Sequence, residues 1–251
     1  AAALAHWTAA LMSLQRVPGT EALQAGCLYN LGTAQTRTGQ PAAGLQRLTE
    51  ALDLYRRVPD TTWEQAQCLQ AAGDARGQLK DSAGQEASCE QALGLYRQVP
   101  QTEREQLQCL LTLGVLAGTR GQHQRQIEWL EQAVELCRKT PGTESLQIDA
   151  LRDLGVAYGR LGDLERKIAL TQEALRLAEG QPNSARIQAE VLQNLGSAYC
   201  EAGLSQRSVD ATLRALKLYQ SLPDTARQQA SCLQNLGAAY GDLDDPAGEL
   251  Q

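Results

Sequence analysis

The octet LQNLGSAY at 192–199 returns almost unchanged as LQNLGAAY at 233–240, with Leu, Leu, Gly, Ala and Tyr keeping their places around polar Gln and Asn. The same 41-residue shift holds along the whole chain without an insertion. Leu28, Leu69, Leu110, Leu151, Leu192 and Leu233 share one phase. This predicts a buried leucine in each of six helices, worth about 1.5 to 3 kcal/mol apiece. A second phase holds Cys27, Cys68, Cys109, Ala150, Val191 and Cys232, a set that fits a small apolar packing slot. A fixed period between about 20 and 50 residues is the mark of stacked repeats.

Punctuation follows the same period. Pro18, Pro59, Pro100, Pro141, Pro182 and Pro223 end one helix in each copy, because the proline ring cannot continue it. Thr20, Thr61, Thr102, Thr143, Ser184 and Thr225 stand two residues later. They are expected to cap the next helix by accepting an amide of its first turn. Thr61 with Glu64, Thr102 with Glu105, and Thr225 with Gln228 fit capping boxes. This first helix should run about 17 residues to a turn glycine at Gly39, Gly121, Gly162 or Gly203, replaced by Lys80 and Asp244 in two copies. A second helix, about 16 residues and 24 Å long, then leads to the next proline.

Each unit is thus a helical hairpin that must stack to bury its apolar stripe. The boundaries expected are a partial unit 1–18, full units 19–59, 60–100, 101–141, 142–182 and 183–223, and a partial unit 224–251, together one solenoid. With no initiating Met, and with stacking faces left uncapped at both ends, the chain is expected to be a piece of a longer protein.

Glycine inside a helix costs roughly 1 kcal/mol against alanine. Gly32, Gly73, Gly114, Gly155, Gly196 and Gly237 therefore imply close approach of the paired helix. Ala51, Ala92, Ala133, Ala174 and Ala215 supply a candidate facing surface. Second glycines four residues on, at Gly77, Gly118, Gly159 and Gly241, serve either the same packing or a ligand's backbone.

These residues resemble the tetratricopeptide repeat family, whose pattern is a Leu-Gly dyad, an aromatic three residues later, a turn glycine and an alanine in the second helix. Leu154, Gly155, Tyr158, Gly162 and Ala174 form the fullest copy, and Leu195, Gly196, Tyr199, Gly203 and Ala215 the next. The repeat is longer than the family's usual unit, as in kinesin light chain and the Pins-type adaptors. The resemblance implies an all-α, right-handed superhelical α-solenoid of stacked antiparallel hairpins, about 12 helices in all. Departures occur at Gln35, Arg76 and Ala117, where the aromatic is lost. Gln85, Gln126 and Lys167 replace a small residue, and looser packing is expected there.

Composition narrows the function. Hydrophobic residues make up 43% and aromatics 4% with no Phe, which favours a globular helical chain. The net charge of -6, with signs interspersed, offers no basic stripe for nucleic acid. No apolar stretch is long enough to span a membrane. The seven cysteines show no CxxC and no metal-ligand spacing, and reduced thiols suit the cytosol. His6 and His123 have no matched acid or nucleophile and are expected at solvated helix positions. No catalytic, cofactor or metal motif occurs, so no enzyme activity and no cofactor are expected.

By the same resemblance the first helices line the concave face, and residues flanking the dyad point into it. These are Asn30, Asp153, Asn194 and Asn235 before the dyad, then Arg152, Gln193 and Gln234. Glu190 lies a turn earlier, with Arg186 and Arg227 near the helix starts. Amides could pair with the main chain of an extended peptide, and arginines with its carboxylates. The function expected is a cytoplasmic, noncatalytic adaptor binding a peptide or helical segment. The alternatives are a sensor or self-association arm of a signalling protein, acting through uncapped ends, and a helical hydrolase or phosphatase.

Overall fold

A computed structural model describes residues 2–244; the end of the expected unit 224–251 lies outside the described residues. Twelve α-helices and no strand occur among the described residues. Two compact units divide the chain, the first reaching Leu116 and the second starting at Ala117. The first unit holds α1 (Ala2–Leu14), α2 (Glu21–Arg37), α3 (Pro41–Tyr55), α4 (Thr62–Gln78), α5 (Ser82–Tyr96) and most of α6 (Glu103–Thr119). The second holds α7 (His123–Lys139), α8 (Glu144–Arg160), α9 (Leu164–Glu179), α10 (Ala185–Glu201), α11 (Ser205–Gln220) and α12 (Ala226–Asp244). Neighbours in sequence pack as antiparallel hairpins, α2 with α3 and α4 with α5 in one unit, α8 with α9 and α10 with α11 in the other. The even-numbered helices from α2 are the first helices of their repeats.

The apolar phases form the core. Leu28, Leu69, Leu110, Leu151 and Leu192 are buried, as are Ala51, Ala92, Ala133, Ala174 and Ala215. Cys27, Cys68, Cys109 and Cys232 are buried beside Ala150 and Val191 of the same slot. Burial pushes the Cys68 and Cys109 thiols up to about 12, so they are inert packing groups. Leu233 departs from its phase and is exposed, because no helix follows α12 among the described residues to cover its outer side.

The hydroxyls after the prolines act otherwise than expected. Thr20, Thr61, Thr143 and Ser184 precede their helices, yet none accepts a first-turn amide. Each hydroxyl turns back and donates to the end of the preceding helix: Thr61 to the carbonyls of Tyr55 at 2.7 Å and Val58 at 3.0 Å. Thr102 bonds Tyr96 and Val99 in the same way, and Thr225 bonds Tyr219 and Leu222. No capping box forms at Thr61. The last carbonyls of a helix lack partners, and a hydroxyl buried against them is the nearest donor. A glutamine four residues on completes the motif, Gln65 donating to Thr61, Gln106 to Thr102 and Gln229 to Thr225. Glutamine stands at this phase in all six copies, as Gln24, Gln65, Gln106, Gln147, Gln188 and Gln229. Side-chain caps of the expected kind occur on second helices instead, where Asp81 accepts from Gly84 N–H and Asp163 from Arg166 N–H.

The turns use left-handed backbone twice per repeat. Gly39, Gly121, Gly162 and Gly203 have φ between 69° and 82°, and Lys80 adopts 60° in their place. The residue after each proline also has positive φ: Gly19, Asp60, Gln101, Gly142, Asn183 and Asp224.

Close approach explains Gly32, Gly73, Gly155 and Gly196, whereas Gly237 departs from the expectation, since a Cβ there would meet nothing within 4 Å. A Cβ on Gly32 would lie 2.7 Å from Leu48 Cγ and 2.9 Å from the Gly44 carbonyl oxygen. The second glycines answer the large residues opposite. A Cβ on Gly77 would meet the Gln85 side chain at 2.8 Å, on Gly118 that of Gln126 at 2.7 Å, and on Gly159 that of Lys167 at 2.6 Å. Where the second helix has Gly44, the first has Thr36 instead, 2.2 Å from where a Gly44 Cβ would stand. Packing at Gln85, Gln126 and Lys167 is therefore close rather than loose, since volume is exchanged across the hairpin. His123, unlike exposed His6, is half-buried at the start of α7, with Nδ1 enclosed.

Candidate functional site

The expected binding residues fall in both units. In the second, Arg152 on α8 joins Glu190 on α10 at 3.2 Å and Asp149 at 3.1 Å. Asp153 is half-buried beside it. Desolvation holds the Asp153 carboxyl above its ordinary range, partly offset by Arg152. Arg186 donates to the Pro223 carbonyl at 3.2 Å, while Arg227 is exposed. The cations of this face are thus largely turned on the chain itself.

Gln193 is committed within the fold. Its Oε1 accepts the Tyr219 hydroxyl at 3.0 Å and its Nε2 donates to Ser231 Oγ at 2.9 Å. The first unit builds the same chain three repeats earlier, where Tyr96 donates to Gln70 at 2.7 Å and Gln70 to Gln108 at 2.8 Å. A buried tyrosine needs a partner for its hydroxyl, which gives this glutamine a packing role. Tyr219 is pushed up to about 12, by desolvation first and by Glu190 second. Asn194 and Asn235 are half-buried, and their side chains make no hydrogen bond among the described residues. Gln234 is exposed, and half-buried Asn30 stands apart in the first unit.

Repeat phase did not mark one sizeable recess. A groove of about 880 Å³ opens on the first-helix face of the first unit, lined by Tyr29, Arg37, Gln67, Asp74, Glu105 and Gln108 among others. Its size is in the range of about 300 to 1,000 Å³ typical of ligand pockets. Asp74 was legible in principle: its phase otherwise holds Thr33, Val115, Val156, Ser197 and Ala238, none charged. A smaller recess of about 510 Å³ in the second unit is lined by Glu131, Tyr158 and Arg166. There Tyr158 donates to Glu131 at 2.6 Å, and the Arg166 guanidinium stands 4.9 Å from the Tyr158 ring centre. Its polar groups are already paired. No cluster of metal-ligating side chains occurs among the described residues. No described helix is long and apolar enough to cross a membrane.

A tetratricopeptide repeat family model matches residues 106–145. No curated protein matches the sequence. Among solved structures, BtubC (BKLC) from P. vanneervenii is similar at 20% identity and a TM-score of 0.65, over 82% of this chain and 85% of that one. A putative kinesin light chain from Podosopora anserina with nearly identical TPR-like repeats gives 16% and 0.64, over 78% and 95%. YrrB, a TPR protein with an unusual peptide-binding site, gives 16% and 0.63, over 91% and 96%. At these identities the likeness concerns the fold, an all-α repeat solenoid. The chain thus carries a matched tetratricopeptide repeat at 106–145, and the same 41-residue period runs through the sequence.

Proposed function

We propose that the chain is a noncatalytic scaffold of the cytosol whose first-helix faces bind a peptide or helical segment of another protein. The observation that carries this is the state of the amides. Asn194 and Asn235 sit half-buried on that face, their side chains making no hydrogen bond among the described residues, whereas Gln193 is bonded within the fold at both its oxygen and its nitrogen. An amide offers two donors and an acceptor, enough to pair with an extended main chain. The peptide site of YrrB supports the reading by analogy of fold. Binding to a random-peptide array is the test: Asn194→Ala/Asn235→Ala should lose peptides retained by the unaltered chain, with no change in melting temperature. Equal retention would remove these residues from the site.

A second reading, a self-association arm, is favoured by α12. Leu233 and Tyr240 are exposed there, and a Cβ on Gly237 or Gly241 would meet nothing within 4 Å. Sedimentation independent of concentration would dismiss it.

A further inference from the structure

The groove of the first unit differs in charge from the first-helix face of the second. Asp74 and Glu105 both line it, on α4 and α6, and neither has an ion-pair partner among the described residues. Arg37, at the end of α2, is the single cation in the lining, so the carboxylates exceed it. In the second unit the phase of Glu105 carries Leu146, Ile187 and Gln228, none charged, and the acid Glu190 is matched by Arg152.

Packing does not require these acids. The phase of Asp74 is otherwise uncharged, so hairpin stacking tolerates a neutral residue there. Asp74 is exposed on the open side of the groove, yet the surrounding walls desolvate its carboxyl and hold it above the ordinary range. An anion kept in such a place without a partner has its full pairing capacity available to a ligand. The amides beside it are similarly placed. Gln70 is used at both ends, but the side chains of Gln67 and Gln78 make no hydrogen bond among the described residues, and Gln108 accepts from Gln70 at its oxygen, with no partner for its Nε2 among them.

We propose that the groove of the first unit binds an extended peptide by one Lys or Arg side chain seated against Asp74 and Glu105, with Gln67, Gln78 and Gln108 bonding the peptide main chain. The proposal rests on the scaffold reading above and adds to it a partner chemistry and a second location. Charge complementarity selects a basic over an acidic peptide, because an acidic one would bring like charges together in a partly desolvated recess.

The test is an array of random short peptides, probed with the chain and with Asp74→Asn/Glu105→Gln, whose amides keep the shape of the carboxylates. Peptides held by the unaltered chain should include a class sharing one Lys or Arg at a fixed position. That class should bind the double variant about tenfold or more weakly, the loss of a charge-assisted pair. It should also lose binding when its basic residue is replaced by Gln, while Asp74→Glu should retain it. A melting temperature within the range of the unaltered chain shows that the groove persists in each variant. Bound peptides without such a class, or a class that binds the double variant equally well, would overturn the proposal and leave the scaffold reading standing. An array with no bound peptide would overturn both.

Discussion

LQNLGSAY on α10 and LQNLGAAY on α12 carry nearly the same residues into unlike surroundings. Leu192 is 1% exposed and Leu233 58%; Tyr199 is 7% exposed and Tyr240 48%. On α10, a Cβ at Gly196 would lie 2.3 Å from Thr212 Oγ1, while the space over Gly237 is open. The difference lies in α11, which packs on α10 and has no described counterpart on the outer side of α12. A repeated residue thus specifies a shape that becomes a contact only when the next helix arrives. This is how stability is distributed in solenoids generally, as nearest-neighbour terms between units.

Matched substitutions in the two octets should separate these contributions. The largest effect is expected at the leucines: Leu192→Ala should cost about 2 to 5 kcal/mol by leaving a cavity. Leu233→Ala should stay within about 0.5 kcal/mol, as at other surface sites. Chemical denaturation of the two variants checks this, and similar losses would break the contrast.

The glycines should differ in sign. Gly196→Ala should destabilise by roughly 1 to 3 kcal/mol, since β-branched Thr212 presents either its hydroxyl or its methyl to the new Cβ. Gly237→Ala should stabilise by up to about 1 kcal/mol through helix propensity alone. Thermal melts of both variants suffice, and a gain at Gly196 would contradict the close approach.

The glutamines come next. Gln193→Ala leaves the buried Tyr219 hydroxyl without its acceptor and should cost about 1 to 3 kcal/mol, whereas Gln234→Ala should be near neutral. In Tyr219→Phe the Gln193→Ala change should lose most of its cost, which a double-mutant cycle would show.

The smallest effect belongs to Asp74, and pH decides it. Its folded carboxyl titrates above the ordinary aspartate value, so the folded state holds the proton more tightly than the unfolded chain. Stability contributed by that proton is present in acid and lost as pH rises from the ordinary value through the raised one. Asp74→Asn should therefore raise the melting temperature slightly at neutral pH and not in acid. Solvent exposure keeps the gain small. A gain of the same size at both pH values would assign it to something other than the charge.

Much of the hairpin plan was legible in letters because helix stops, turn glycines and apolar phases act locally. The periodic prolines stand just past the second helices, and Gly39, Gly121, Gly162 and Gly203 take left-handed backbone where the period places them. The hydroxyls were misread because a capping threonine and a carbonyl-binding threonine occupy the same place in sequence. Only the return of the preceding helix end, within 2.7 Å of Thr61, distinguishes donor from acceptor. Gln85, Gln126 and Lys167 looked too large when read singly. Paired across the hairpin with Gly77, Gly118 and Gly159, they complete the volume. Among the candidate site residues, sequence could mark Gln193 and Asn194 as recurrent neighbours but not show that one is spent on Tyr219 and the other is not.

The sequence by itself determined the period, the helical hairpins and the identity of the core phases, since these follow from covalent preferences and apolar spacing within about one turn of helix. Tertiary structure alone decided which polar groups remain available. Gln193 and Asp74 both sit on first helices, in different repeats, yet a tyrosine from the paired helix takes up the amide oxygen and no cation among the described residues pairs with the carboxylate. A hydrogen bond or ion pair is a relation between atoms far apart in the chain, and it exists only where folding brings its second partner into range.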